Sequence, residues 1–197
     1  MINNTELIFI EEQTFNNNVF TKDPLTKGEY EKCTFVNCDF SGSCLSNVLF
    51  TECEFIGCNL SMTILAKTGF RDVKFKDCKM LGLRFEDCND FGLSFMVENC
   101  NLSHCSFFRT KLKKTVFKNS KLNESDFTES NLTGTILDNC DLTKATFANS
   151  VLEKADFRTS FNYSIDPEIN RLKKARFSLS GVAGLLEKYD IEIDNTN

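Results

Sequence analysis

A large apolar residue occupies nearly every fifth position of this chain from Phe15 to Phe157. The positions follow one phase as far as residue 95, shift by two residues, and resume at Leu102. There are 17 positions in the first phase and 12 in the second, and Phe or Leu fills 26 of these 29. Neither an α-helix nor a β-strand has a strict five-residue period, so the pattern indicates a tandem-repeat fold.

A small residue precedes most of these centres by two positions. From Cys33 onward this position holds Cys, Ser, Thr, Val or Ala, and only Leu83 and Leu93 are large. A narrow tube requires such a pairing, because both side chains point inward and only one of them can be bulky. Asp or Asn recurs immediately before the centre, where its side chain suits a turn at the corner between two faces.

Several stretches match the repeat Ala-Asp/Asn-Leu-x-x. Examples are Ser-Asn-Leu-Thr-Gly at 130–134, Cys-Asp-Leu-Thr-Lys at 140–144 and Ala-Asp-Phe-Arg-Thr at 155–159. Over roughly residues 13–177 the chain therefore resembles the pentapeptide-repeat family. The resemblance implies an all-β fold, a right-handed quadrilateral β-helix with four pentapeptides in each coil.

Four pentapeptides per coil imply that residues 20 apart in sequence stack on one another. The sequence agrees, because like residues recur at that spacing. The expected core columns are Phe15, Phe35, Phe55, Phe75 and Phe95; Leu102, Leu122 and Leu142; Phe107, Phe127 and Phe147; Leu112, Leu132 and Leu152; and Phe157 with Phe177. Each buried Phe or Leu contributes on the order of 1.5–3 kcal/mol. About seven coils would give a rod about 34 Å long.

The repeat is irregular over residues 86–101. Asp90 is the only charged residue at a centre position, and Phe91 and Gly92 follow it. One interpretation is a bulged face, in which Phe91 replaces the missing apolar centre. The other is a projecting loop, in which Asp90 and Phe91 contact a partner.

Both ends of an open β-helix expose unpaired edges, which invite end-to-end association. We expect the β-helix to span 1–178, starting its first coil near residues 7–10 and containing a loop at 160–174 before a last partial strand. Residues 179–197 form a C-terminal element, in which 181–189 has the spacing of a short amphipathic α-helix. Its apolar residues either cap the last coil or pair with a second copy in a dimer. These residues are Val182, Leu185, Leu186 and Tyr189.

No pattern of residues indicates catalysis, a metal or a cofactor. Nine of the ten cysteines occupy the small inward position, where Cys behaves as a small apolar side chain. Cys44 and the single histidine, His104, fall at outward positions. We therefore expect no catalytic residue, no metal ligand and no cofactor, and a protein that is not an enzyme.

Composition bears on location and on partners. The net charge of −5 argues against a general nucleic-acid binder, which would be basic. No apolar run approaches the length of a membrane span, and the first residues lack the features of a secretory signal. We expect a cytoplasmic protein with reduced thiols, no direct contact with nucleic acid and no contact with a membrane.

The segment Leu-Leu-Glu-Lys-Tyr-Asp-Ile at 185–191 resembles the C-terminal tail of the Qnr-type fluoroquinolone-resistance proteins. Cys-Asn-Leu-Ser-Met at 58–62 is also similar to those proteins. The resemblance implies a homodimer formed through the C-terminus. It also implies a DNA mimic that binds DNA gyrase or topoisomerase IV and protects it from quinolones or toxins.

The distribution of charge supports a DNA mimic less well. Residues 31–157 contain 17 acidic and 15 basic side chains, whereas a mimic of duplex DNA needs a strongly negative face. The lysines at 111, 113, 114, 118 and 121 fall on consecutive faces. The alternative hypothesis is a pentapeptide-repeat scaffold or interaction module with a different protein partner, because a fold alone does not fix a function.

Overall fold

The computed structural model describes residues 8–194, which form short β-strands joined by turns, with almost no helix. The strands are β1 (Ile8–Glu11), β2 (Thr14–Asn16), β3 (Gly28–Glu31), β4 (Thr34–Val36), β5 (Leu49–Thr51), β6 (Glu54–Ile56), β7 (Gly69–Arg71), β8 (Val73–Lys76), β9 (Phe95–Glu98), β10 (Val116–Lys118) and β11 (Ile136–Asp138). The helices of this described part are 3-10 helices at Phe85–Asp87, Val182–Leu185 and Glu187–Tyr189.

The strands form two parallel sheets on two sides of the molecule. One sheet has the order β1-β3-β5-β7, and the other has the order β11-β10-β9-β8-β6-β4-β2. Paired residues are mostly 20 apart, as Thr34 is from Glu54, because the chain returns to the same side after each coil. Isolated parallel bridges connect the coils on the other two sides. The predicted fold is confirmed, since the chain is a right-handed quadrilateral β-helix of about seven coils.

The four faces are numbered by the large inward residues at their centres. Face 1 has Phe15, Phe35, Phe55, Phe75, Val97, Phe117, Leu137, Phe157 and Phe177. Face 2 has Phe20, Phe40, Leu60, Met80, Leu102, Leu122 and Leu142. Face 3 has Leu25, Leu45, Leu65, Phe85, Phe107, Phe127 and Phe147. Face 4 has Ile10, Tyr30, Phe50, Phe70, Leu112, Leu132, Leu152 and Leu172.

The aromatic centres stack in columns along the rod. In face 1 the ring centroids are 4.8 Å apart for Phe15 and Phe35, and 4.7 Å apart for Phe35 and Phe55. In face 3 the rings of Phe107 and Phe127 are 4.9 Å apart. Each such pair contributes about 0.5–1.5 kcal/mol beyond the burial of its surface. These contacts between adjacent coils add to the edge contacts within a coil, such as Phe50 with Phe55 at 5.2 Å.

The small inward residues also bond the coils to one another. The Cys58 thiol donates a hydrogen bond to the backbone carbonyl of Phe35 at 3.2 Å. In the same way the Ser150 hydroxyl donates to the carbonyl of Phe127 at 2.8 Å. Cys, Ser and Thr alternate at this position because each combines a small volume with a hydrogen-bond donor. The sequence pattern had indicated only the small size.

Asp and Asn side chains stabilise the corners through hydrogen bonds to the backbone, as expected. The Asp126 carboxylate accepts a hydrogen bond from the backbone N–H of Thr128 at 2.8 Å. The second residue after a centre has a positive φ, for example 60° at Lys114 and 57° at Lys144. This corner tolerates Lys, Glu and Asn as well as Gly134, which lies between Lys114 and Lys154 in one column.

The two-residue shift in the repeat lies before Phe95, not after it. Strand β9 pairs Val73 with Phe95 and Phe75 with Val97, so the register here is 22 residues rather than 20. The prediction that Phe95 continues the column of Phe75 is therefore wrong, and Val97 is the centre. Phe95 occupies the small inward position, where it fits because Val97 beside it is small and face 4 has no large centre in this coil.

The loop expected at 160–174 is mostly regular. Phe161 and Arg171 both form parallel bridges to residues 20 positions earlier. Asn170 fills the small inward position, and its side-chain amide donates to a backbone carbonyl of the preceding coil at 2.9 Å. Only the segment 163–169 departs from the coil. The coil resumes at residue 170, because the Asn side chain there is small and polar and meets the same requirement as Ser or Thr.

The C-terminal helix is short and is not an α-helix. Two 3-10 helices, Val182–Leu185 and Glu187–Tyr189, replace the α-helix expected over 181–189. Gly181 and Gly184 pack so closely on Tyr163 that a Cβ at either position would collide with it. This close contact with the last coil sets the path of the segment.

Candidate functional site

The two inserted residues produce an outward turn on face 4 at Asp90, Phe91 and Gly92. The Phe91 side chain is 73% exposed, and the Arg71 guanidinium lies 5.4 Å from the centre of its ring. Nζ of Lys111 donates a hydrogen bond to the Asp90 carboxylate at 3.0 Å. The interpretation in which Phe91 fills the missing core position is therefore wrong, and the turn projects from the rod.

A pocket of about 390 Å³ opens beside the turn, where face 4 lacks a large centre. Phe85 and Leu93 form apolar parts of its wall, and Lys111 lies at its rim. Glu86 also lines the pocket, with Oε1 3.2 Å from Nη2 of Arg84. Its other oxygen, Oε2, is buried without a hydrogen-bond partner. This pocket could not be predicted from the repeat pattern, because it depends on which coil receives the insertion.

After the turn, face 4 carries a group of exposed lysines, the lysine patch. The patch consists of Lys113, Lys114, Lys154, Lys173 and Lys174. The only carboxylate among them is Glu153, and it pairs with Arg171 at 2.6 Å. In the described part of the chain none of the five ammonium groups forms an ion pair. This half of face 4 is therefore strongly positive.

Before the turn, face 4 carries the opposite charge, in the acidic patch. The patch consists of Glu11, Glu12, Glu29, Glu31, Glu52 and Asp72. Two cations lie among them: Lys32, shared between Glu11 at 3.4 Å and Glu31 at 3.6 Å, and Arg71, which precedes Asp72 and lies over the Phe91 ring. The two halves of face 4 thus have opposite net charge, with Phe91 between them.

The other three faces mix acidic and basic residues along the rod, and several of these pair between adjacent coils. On face 1, Lys74 contacts Glu54 at 2.7 Å. On face 3, Arg109 contacts Glu129 at the same distance of 2.7 Å. Along the described residues no face is negative from one end of the rod to the other, since the acidic patch covers only the first half of face 4. Face 4 is thus the face on which charges are separated.

The cysteines and the histidine show no reactive arrangement. Burial raises the pKa of the Cys53 and Cys105 thiols to about 12, so they stay protonated at neutral pH. Cys44 is exposed, and hydrogen bonding with Ser46 lowers the pKa of its thiol. His104 is exposed on the surface. Within residues 8–194 no group of His, Cys, Asp and Glu is arranged to hold a metal ion.

The apolar residues of the C-terminal element have different surroundings. Leu185 packs against the core, whereas Val182 and Tyr189 are 37% and 49% exposed. Leu186 lines a shallow apolar groove of about 320 Å³ together with Ile191. The element covers the last coil through Leu185 and leaves this groove on its outer side.

Two models of one protein family match the chain. The model of the pentapeptide repeat region matches 28–96, and that of eight pentapeptide repeats matches 100–139 and 125–160. The chain belongs to the pentapeptide-repeat family. The first match to this pentapeptide-repeat protein runs through the turn at Asp90 and the second begins shortly after it, which supports one continuous solenoid.

Solved structures share the fold of this pentapeptide-repeat protein. A trypsin-treated variant of QnrB1, a plasmid-mediated fluoroquinolone resistance protein, matches at a TM-score of 0.57 and 20% identity, over 95% of this chain and 98% of that one. HetL, involved in heterocyst differentiation regulation in the cyanobacterium Nostoc, matches at a TM-score of 0.51 and 18% identity, over 88% of each chain. At these identities the likeness shows the fold alone.

No curated protein sequence is significantly similar to this pentapeptide-repeat protein. Residues 8–194 contain no helix with the length and apolar character to cross a lipid bilayer.

The sequence indicated the turn at Asp90 but not the two patches around it. The lysines at 111–121 were expected on consecutive faces, and the structure places Lys118 on face 1, where it pairs with Glu98 at 2.9 Å. Lys121 lies on face 2, where it bridges Asn101. The available signal was the 20-residue register itself, which collects Lys114, Lys154 and Lys174 into one column when it is applied to charged residues.

Proposed function

We propose that this pentapeptide-repeat protein is a non-enzymatic scaffold that binds another protein through face 4. The observation that carries the proposal is the projecting Phe91, 73% exposed, between two patches of opposite charge. Exposed aromatic side chains near the centre of a surface are frequent binding hot spots. The inward side chains are packed in the core, so the outward residues provide the contacts.

Substitution of Phe91 tests this proposal. Native complexes are purified from cells that express the wild type, Phe91→Ala or the control Phe161→Ala, in which the changed residue is 46% exposed on face 2. A partner that copurifies with the wild type and with the control should be lost at least about tenfold from Phe91→Ala. The partner is then bound again from purified components. Equal recovery with all three proteins would contradict a role for face 4.

Reduced thiols fit a cytoplasmic location, which we include in the proposal. The structure pairs no cysteines in disulfides among the described residues, and nine of the ten are buried or partly buried. Disulfides persist mainly in oxidising compartments.

A second candidate function is protection of DNA gyrase or topoisomerase IV by mimicry of duplex DNA. Two observations favour it: the tail resemblance at 185–191 and a rod that matches QnrB1 over 95% of this chain. The surface weighs against it, because the acidic patch covers only half of one face and the carboxylates of the other faces are mixed with basic residues. The scaffold is therefore the function that we favour.

A gyrase supercoiling assay with and without a fluoroquinolone separates the two candidates. The DNA mimic predicts inhibition of supercoiling, or rescue from the drug, at micromolar protein. The scaffold predicts neither. On this hypothesis the acidic patch is the surface that mimics DNA. A variant with Glu12→Lys and Glu52→Lys should then lose the inhibition or the rescue, whereas Asp39→Lys on face 2 should keep it.

The exposed groove of the C-terminal element suggests a homodimer through this end, which we also propose. Its test is a variant with Leu186→Asp and Ile191→Asp, which should be a folded monomer by light scattering. Leu179→Asp is the control, because Leu179 is 93% exposed outside the groove. A wild type that is monomeric at all concentrations would contradict the dimer.

A further inference from the structure

We propose that face 4 binds a second copy of this chain, antiparallel to the first and related to it by a two-fold axis through the turn of Asp90 and Phe91. This proposal rests on the proposed function, because it identifies a partner for the same face. It concerns a surface along the side of the rod, distinct from the groove at the C-terminal end.

The position of the turn makes face 4 suitable for a two-fold axis. Four inward centres precede the turn and four follow it, from Ile10 to Leu172. The outward residues of each coil form one row of face 4. A two-fold axis that passes through the turn, in the plane of the interface and perpendicular to the rod, therefore places the first row opposite the last row of the second copy. Each row of the acidic half of face 4 is then opposite a row of the basic half.

The outer corner of face 4 shows the complementarity most directly. Glu12 comes opposite Lys174 of the second copy, and Asp72 comes opposite Lys114, and each contact occurs twice by symmetry. All four residues occupy the same corner position, with φ values of 54°, 61°, 52° and 60° in that order. Their side chains therefore extend from similar backbone conformations in the same column of the face.

The rows between these contacts do not cancel the attraction. Lys32 comes opposite Lys154, but Glu11 and Glu31 both lie within ion-pair distance of Lys32. Glu153 comes opposite Glu31, and Arg171 neutralises it at 2.6 Å. Arg71 comes opposite Lys113 and Glu52 comes opposite Gly134, so the attraction comes from the opposite net charge of the two halves rather than from a match at every contact.

Phe91 lies on the proposed axis and so meets Phe91 of the second copy. A residue on a two-fold axis always faces its own counterpart, and two apolar rings are a favourable self-contact. Burying this side chain removes a large apolar group that is 73% exposed in the single chain. The turn thus supplies an apolar centre to an interface with a charged periphery.

The size of the face predicts a weak dimer. Eight steps of about 4.8 Å and a width of about 10 Å give roughly 400 Å² per copy, about half of a standard interface. The self-association should therefore occur at micromolar concentrations and weaken severalfold as salt rises from about 20 to 200 mM, because charged pairs at a rim are screened. A dimer through the apolar groove at the C-terminal end would lack this salt dependence.

The test uses two charge-reversal variants of the full chain. The first carries Lys114→Glu and Lys174→Glu, and the second carries Glu12→Lys and Asp72→Lys. Sedimentation velocity at low salt should show each variant associating with itself at least about tenfold more weakly than the wild type. An equimolar mixture of the two should associate to within about threefold of the wild type, because in the mixed dimer each acidic side chain again lies opposite a basic one. A variant with Lys67→Glu and Lys144→Glu changes the net charge as the first variant does, from other faces, and should dimerise normally.

Thermal unfolding first verifies that all variants are folded, and the Lys114→Gln, Lys174→Gln pair replaces the first variant if it is not. A wild type that stays monomeric at low salt up to about 100 µM overturns the proposal, as do variants that dimerise normally or a mixture that fails to associate. Loss of the dimer only in the Leu186→Asp, Ile191→Asp variant also overturns it. The scaffold proposal is tested separately, since a foreign partner lost from Phe91→Ala would stand even if the wild type were monomeric.

Discussion

The two halves of the rod, residues 8–85 and 95–177, are built alike inside and differ outside. The first half stacks Phe and Tyr centres over Cys, Val and Thr, whereas the second uses more Leu over Ser and Thr. Both halves bury these side chains almost completely. On face 4, however, the first half carries the acidic patch and the second half the lysine patch. The interior requires one large and one small residue per face, and it accepts several residue types that meet this requirement.

The outward positions have no such requirement, which explains how face 4 can change sign at the turn. Corner residues need only tolerate a positive φ, and Lys, Glu, Asp and Asn all occur there. A charged residue at a corner therefore costs the fold little, whichever its sign. The comparison of the two halves teaches that the inward residues determine the stability of this repeat, whereas the outward residues determine its surface charge.

The largest expected effect tests whether the two interiors are equivalent. Phe35→Ala in the first half and Phe127→Ala in the second each remove a fully buried, doubly stacked ring. Each should lower the free energy of unfolding by about 3–5 kcal/mol, measured by chemical denaturation. Phe91→Ala is the exposed control and should change it by less than about 0.5 kcal/mol. A loss confined to one half would show that the halves are not equivalent.

A second variant joins the halves without the turn. Deleting Phe91 and Gly92 restores a register of 20 residues, and Asp90→Leu then supplies the missing face 4 centre. Because Phe95 fits its position where face 4 lacks a large centre, the variant also carries Phe95→Val. Burying the new Leu should then raise the free energy of unfolding by about 1–2 kcal/mol above that of Phe95→Val alone. Asp90→Leu without the deletion is the control and should give no gain, because Asp90 is exposed. A less stable variant would show that the turn is needed for folding.

The inward hydroxyls should contribute equally in both halves. Thr68 donates to the Leu45 carbonyl at 2.8 Å, and Thr135 donates to the Leu112 carbonyl at 2.6 Å. Thr68→Val and Thr135→Val keep the volume and remove one of the two hydrogen bonds to each carbonyl, which keeps the bond from a backbone N–H, so each should cost about 0.5–1.5 kcal/mol. Thr128→Val at an outward position serves as the control. Unchanged melting temperatures of both inward variants would show that this position requires only a small side chain.

The smallest effect concerns pH at a corner of face 2. Partial burial tends to raise the pKa of Asp141, but hydrogen bonds from Thr143, Asn123 and Asn162 outweigh it and lower the pKa to about 2. Because the folded-state pKa is below the ordinary value of 3.8, Asp141 adds stability above about pH 4, which is lost as the pH falls toward 2. Asp141→Asn should flatten the fall of the melting temperature in this range. An unchanged slope, compared with Asp138→Asn as a control, would contradict this role.

The interior of this protein could be predicted from its sequence because the constraint acts on every fifth residue. Periods of five and 20 residues define the four faces, the inward Phe and Leu, and the small Cys, Ser and Thr between them. The single misplacement, Phe95, arose where the insertion of two residues left two possible phases. Sequence spacing alone does not say on which side of Phe95 the extra residues fall, whereas the pairing of Phe75 with Val97 does.

The candidate site belongs to the tertiary structure, since it joins residues from many coils. Glu12, Asp72, Lys114 and Lys174 span 162 positions of the sequence, and only the stacking of coils places them in one column of face 4. The pocket beside Glu86 and the exposure of Phe91 likewise depend on where the insertion is accommodated. The sequence by itself determined the packed interior, because burial restricts residue type at each repeat. Only the tertiary structure decided the surface, because outward residues are free to vary and gain meaning from their neighbours on adjacent coils.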